Sequence, residues 1–134
     1  MKQVWYIIIF LCALVACNHP NEAIKKQIAD SDSLAINYFK GDGTMDTVVA
    51  IRIIRDKQKI NQLATFISGR SVEGNYACGY DGSLHFFKMN KVIQDIDFRM
   101  KEDDCMYFTF LLNNRSQATS LSAEAKELIN ALRK

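Results

Sequence analysis

The first apolar stretch of the chain, Val4 to Ala16, runs for thirteen residues without a charge behind Lys2. A helix needs about twenty apolar residues to cross a bilayer, whereas a secretory signal needs a basic start, a short apolar core and small residues at its end. Residues 1–16 therefore read as a signal peptide. Asn18-His19-Pro20-Asn21 follows as a polar tether holding the chain's only proline. From Glu22 to Phe39, Ile24, Ile28, Ala35 and Phe39 keep an approximate helical period that Asp30-Ser31-Asp32-Ser33 interrupts, which predicts a weak helix or two short pieces. Gly41-Asp42-Gly43-Thr44 closes this stretch as a loop. On this reading residues 17–46 are a tether with a weak helix, and residues 47–134 are one small domain.

Inside that domain the period changes several times. Thr47 to Arg55 (TVVAIRIIR) is rich in β-branched residues and apolar at both parities, which predicts a strand in a central position. Asp56 suits a helix N-cap, and Ile60, Leu63, Ala64 and Ile67 fall at i, i+3, i+4 and i+7 before Ser68-Gly69 stops the helix. After a loop over residues 70–82, strands are predicted over Ser83–Lys88, Val92–Phe98 and Cys105–Leu112, joined by Met89-Asn90-Lys91 and by Arg99 to Asp104. Asn113 to Thr119 reads as a connection. A last helix from about Ser122 to Leu132 aligns Ala125, Leu128, Ile129 and Leu132. Strand, helix, three-stranded meander and helix make an α+β fold, with an antiparallel sheet and the helices packed on one face.

Register follows from hydrophobic parity, because a one-residue slip would turn every side chain to the other face. Lys88 placed opposite Val92 sets His85 against Asp95. Phe98 placed opposite Met106 sets Asp95 against Thr109 and Asp97 against Tyr107. Leu84, Phe86, Ile96, Phe98, Phe108 and Phe110 then share the core face. The other face carries a polar field of His85, Asp95, Asp97, Tyr107 and Thr109, beside an apolar patch of Phe87, Ile93 and Leu111. Cys78 and Cys105 arrive at one edge of the sheet.

With 17 Lys+Arg against 15 Asp+Glu and no basic stripe, nucleic acid is excluded as a partner class. Leu14-Val15-Ala16-Cys17, at the end of the apolar core, resembles the lipobox of bacterial lipoproteins at all four positions. The resemblance implies a diacylglyceryl thioether on Cys17, cleavage before it, and an acyl anchor of more than one chain in the cell-envelope membrane. Asn18, where Asp often signals inner-membrane retention in Gram-negative lipoproteins, leans the reading toward the outer membrane, in the periplasm-facing cell envelope of such a cell, with the leaflet left open. Cys12 leaves with the signal, so Cys78 and Cys105 remain as a pair in an oxidising compartment, and a disulfide is expected.

His85 beside Asp95 or Asp97 is the minimum for acid–base work. No residue is marked as an activated nucleophile, so no catalytic residues are assigned and an enzyme is the less favoured class. Two cysteines and His85 fall one ligand short of a zinc site, and Glu102-Asp103-Asp104 lacks the spacing of a calcium loop, so no metal or cofactor is expected. Gly79-Tyr80-Asp81-Gly82 reads as a tight turn with positive φ at its glycines, and more sharply as a recognition loop presenting Tyr80. The function expected is a membrane-anchored binding module for an envelope protein, peptide or glycan. Its alternatives are an inhibitor of a secreted enzyme, using the Cys78 to Gly82 loop, and a small hydrolase using the His85 face.

Overall fold

The computed structural model describes residues 20–41, 45–73, 78–101 and 103–134; the signal peptide and Cys17 lie outside the described residues. In chain order the elements are α1 (Pro20–Ala29), β1 (Ser33–Phe39), β2 (Val48–Ile54), α2 (Lys57–Ile67), β3 (Gly82–Lys88), β4 (Lys91–Arg99), a 3-10 turn (Asp103–Cys105), β5 (Tyr107–Leu112), β6 (Arg115–Ser120) and α3 (Ala123–Arg133). The strands form one antiparallel sheet in the order β2-β1-β3-β4-β5-β6. The fold is α+β, as the pattern predicts, with six strands where four were expected.

Of the two helices foreseen in the domain, α2 is capped by Asp56 as expected, and α3 is capped by Ser122, where its start is predicted. The Asp56 carboxylate accepts from the N–H groups of Gln58 (2.9 Å) and Lys59 (3.4 Å), and the Ser122 hydroxyl accepts from that of Ala125 (3.2 Å). Strand residues of one parity (Leu34, Ile36, Tyr38, Leu84, Phe86, Ile96, Phe98, Phe108, Phe110) join Ile24 and Ile28 of α1, Ile60, Leu63 and Ile67 of α2, and Leu128 and Ile129 of α3 in a single core.

Four expectations are corrected. Residues 20–39 are not a weakly helical tether: α1 ends at Ala29, and Ser33–Phe39 is an interior strand of the sheet, between β2 and β3. The Ser31 hydroxyl bonds the Ile28 carbonyl (2.6 Å) and the Asp32 N–H reaches Phe87 O (2.9 Å), so the polar interruption is the turn from helix into strand. Val48–Ile54 forms an edge strand rather than a central one, and its Val49, Ile51 and Ile53 are exposed. Arg115–Ser120, read as a connection, pairs with β5 as the other edge.

The fourth correction concerns register. The β3–β4 turn has two residues, Met89 and Asn90, both at positive φ (49° and 63°), and the ladder shifts between Phe86 and Phe87. Phe87 therefore faces Val92 and not Ile93, while Leu84↔Ile96 and His85↔Asp95 stand as expected. Strands β4 and β5 are offset by two residues from the inferred pairing: Asp97 faces Thr109 and Phe98 faces Phe108. That two-residue offset preserves parity, so the β5 side chains keep their face, whereas the one-residue shift in β4 moves Val92 from the expected core face to the exposed one.

Cys78 and Cys105 form a disulfide, with Cα atoms 6.2 Å apart and a sequence separation of 27. The chain-entropy model gives a cross-link of that span roughly 3–4 kcal/mol. It ties the loop before β3 to the turn before β5, at the sheet end where the candidate site begins.

Candidate functional site

The sheet face opposite the principal core holds the polar field. Between β4 and β5 the ladder runs only from Ile96↔Phe110 to Arg99↔Tyr107, and beyond it the strands part. Buried Gln94 bridges the parting: its amide donates to Leu111 O (3.1 Å) and its Oε1 accepts from Gln27 (2.9 Å). The result is a groove of about 440 Å³ with a polar end of Tyr80, Asp95, Asp97 and Thr109 and an apolar end of Val92, Ile93 and Leu111. Asp95, Asp97 and Thr109 of the expected polar field and Ile93 and Leu111 of the expected apolar patch line this groove together, whereas His85, Tyr107 and Phe87 do not.

The Cys78 to Gly82 segment divides between two roles. Tyr80 turns onto the sheet, where its hydroxyl accepts from Thr109 Oγ1 (3.0 Å) and its ring meets Tyr107 edge-on at 6.1 Å. The Tyr107 hydroxyl donates to Gly79 O (3.4 Å), and burial is the main cause pushing its pKa up. Tyr107 therefore supports the groove wall from behind. Asp81 and Gly82, expected on a recognition loop, are withdrawn from the surface: Asp81 is 8% exposed and ion-paired to Arg99, and Gly82 opens β3 in a close-packed position. Of the two glycines only Gly79 has positive φ (72°), so Gly82 is required by space rather than by backbone conformation.

His85 is held at both ring nitrogens. Its Nδ1 lies 2.5 Å from Asp95 Oδ1, while Nε2 is 2.9 Å from Ser83 Oγ and 3.1 Å from Asn37 Nδ2. An amide nitrogen can only donate, so a neutral ring taking the Asn37 amide at Nε2 would carry its proton on Nδ1, facing the carboxylate. Ser83, His85 and Asp95 thus follow one another in the order of a nucleophile, base and orienting acid. Ser83, however, is 5% exposed and lies between Asn37 and Asp97 inside the sheet, where strand N–H groups serve the ladder and not a reacting oxygen. Asn37 escapes a sequence reading because β1 reads as helical. Alternation of Leu34, Ile36 and Tyr38 is the signal that would find it.

Asp97 differs from its neighbours. Half-buried beside Thr109, it receives no side-chain hydrogen bond among the described residues, and desolvation pushes its pKa up, with the Asp95 charge adding to the rise and His85 opposing it. A carboxyl whose folded pKa lies above its unfolded one stabilises the fold below the unfolded value and loses that contribution as pH climbs through the folded value. Asp97→Asn should therefore raise the urea midpoint at pH 7, and the gain should close as pH falls below the ordinary carboxylate range. A midpoint lowered at neutral pH would show that the charge has a partner. A group kept at a cost to stability, facing a groove, marks a candidate site.

Among the described residues no group of three or more His, Cys, Asp or Glu side chains is arranged to hold a metal ion. Comparison of the chain with protein-family models, curated proteins and solved structures finds no match.

Proposed function

We propose that the protein is an exported lipoprotein, anchored through acyl chains on Cys17, whose open sheet face binds a protein, peptide or glycan of the cell envelope. The lipobox-like Leu14-Val15-Ala16-Cys17 supports the address. The observation that carries the binding role is the groove between β4 and β5, where the desolvated Asp97 carboxylate faces open volume beside Tyr80. A ligand's ammonium, guanidinium or hydroxyl donors would satisfy that carboxylate, the aromatic wall would supply contact area, and Val92, Ile93 and Leu111 would take an apolar neighbour.

Crosslinking from intact envelopes with the lipidated protein as bait tests this. Tyr80→Ala and Asp97→Asn should each keep the fold and lose most of the captured partner, and Cys17→Ser should move the protein from membranes to the soluble fraction. Capture that both groove variants retain in full, or membrane retention of the Cys17 variant, would overturn the reading. A hydrolase reading is favoured by one observation, the Ser83–His85–Asp95 chain of contacts. Covalent labelling of Ser83 by a fluorophosphonate would decide for it.

A further inference from the structure

A second cleft, of about 290 Å³, opens at the disulfide end of the sheet between the end of β1, the segment after β4, and α3. Four cations from three segments line it: Lys40 behind β1, Lys101 behind β4, and Lys126 and Arg133 on α3. Lys126, Asn130 and Arg133 recur at i, i+4 and i+7, a stripe of α3 separate from the Ala125, Leu128 and Ile129 stripe that enters the core. Among the described residues no carboxylate pairs with Lys101, Lys126 or Arg133, whereas Lys40 has an interaction of its own. The lining carboxylate, Asp81, is already committed, with Oδ1 accepting from Arg99 (3.1 Å) and Oδ2 from the Met100 N–H (2.7 Å).

One of the cations, Arg133, is held in place without being neutralised, and a second, Lys101, lies close over the Gly41 backbone. The Arg133 guanidinium lies over the Tyr38 ring, 5.3 Å from its centroid, and the Tyr38 hydroxyl is fixed to Ile129 O (2.6 Å). Gly41 sits at φ 86°, and the Lys101 ammonium approaches to 3.1 Å of the point a Cβ there would occupy. Helix-dipole compensation accounts for Arg133 in the last turn of α3, but not for Lys126 near its N-terminus, where a cation is disfavoured. Among the described residues, Lys101 and Lys126 therefore add positive charge to the cleft that neither a carboxylate partner nor the helix dipole explains.

We propose that this cleft binds a phosphate-type oxyanion, free or carried on a headgroup. Its volume matches roughly ten waters at about 30 Å³ each, which exceeds one tetrahedral oxyanion and leaves space for an attached group. Arg133 supplies a planar fork for two oxygens, and the lysines supply point charges. The site is separate from the β4–β5 groove, and its test does not depend on that reading.

Full-length protein titrated with inorganic phosphate, at constant ionic strength with chloride as the balancing anion, should show saturable amide shifts at Lys40, Gly41, Met100 and Lys101, with a Kd on the order of 1 mM. Lys126→Gln and Arg133→Gln should each weaken binding by roughly threefold and together by about tenfold; thermal unfolding should be unchanged in Lys126→Gln and only slightly lowered in Arg133→Gln, which gives up its contact with the Tyr38 ring. Shifts that do not saturate above about 10 mM, or binding that the double variant retains, would overturn the proposal. A flotation arm separates the sources, using Cys17→Ser protein so that acyl chains do not carry it. Flotation with phosphatidylglycerol-containing vesicles, absent on phosphatidylcholine alone and lost in the double variant, assigns a lipid headgroup. Phosphate binding without flotation assigns a small anion.

Discussion

Asp81→Ala is expected to lower folding stability by about 3–5 kcal/mol, the cost of removing one partner from a buried ion pair. The Asp81 and Arg99 side chains are 9% and 10% exposed, and Arg99 Nη1 lies 3.1 Å from Asp81 Oδ1. The second carboxylate oxygen accepts the Met100 N–H. Truncation would leave a buried guanidinium unpaired, and its Nε has no partner among the described residues even with Asp81 present. It would also orphan a buried amide. The backbone of Asp81 joins β1 and β4 as well, since Phe39 N–H donates to its carbonyl and its own N–H donates to Phe98 O, both at 2.8 Å. The damage would therefore spread along both strands and loosen Tyr80, one residue away, on the groove wall. Asp81→Asn, which retains an acceptor but not the charge, should lose less. Replacing the pair together by Leu and Met should recover much of the loss, because an apolar pair of similar volume leaves no charge stranded. Urea unfolding measures all three, and a single Ala variant with the wild-type midpoint would refute the assignment.

The sequence's hydrophobic parity places His85, Asp95, Asp97 and Thr109 on one face, and that placement survives the offset of β4 against β5 because the offset is even. What parity does not carry is how far strands stay paired, so the parting that makes the groove was not legible. Strand β1 is masked in the sequence because Ile24, Ile28, Ala35 and Phe39 imitate a helix across Ser31–Ser33, although Leu34, Ile36 and Tyr38 alternate as a strand. Strand β6 holds one apolar residue, Ala118, and its only local sign is Asn113-Asn114, both at positive φ (52° and 61°), the pair a two-residue hairpin turn favours. Apolar residues at both parities made β2 read as central. Burial depends on neighbours, however, and the β2 edge leaves Val49, Ile51 and Ile53 exposed. Asp81 in a glycine-rich turn reads as a surface residue for the same reason, since Arg99 is eighteen residues away in sequence.

The other large effect concerns Phe98, where Phe98→Ala should cost about 3–5 kcal/mol. Phe98 is fully buried, its ring meets Tyr38 edge-on at 6.3 Å, and across the sheet it faces Gly82 on one side and Phe108 on the other. Its Cζ occupies the space a Cβ on Gly82 would need, so ring and glycine are complementary halves of one contact. Gly82→Ala on its own should therefore also destabilise, by roughly 1–3 kcal/mol, because the added methyl would strike the Phe98 ring and the Asn37 carbonyl. The sharper expectation lies in the double variant. Once the ring is gone, the methyl on residue 82 meets only the Asn37 carbonyl and fills part of the cavity, so the combined loss should fall short of the sum by about 0.5 kcal/mol or more. Leu111→Ala, on the exposed face of β5, controls for strand propensity and should move stability by less than about 0.5 kcal/mol. Urea midpoints for wild type, the two single variants and the double variant close the cycle, with Leu111→Ala as the control. Strict additivity would mean that the Phe98 ring does not occupy the space over Gly82.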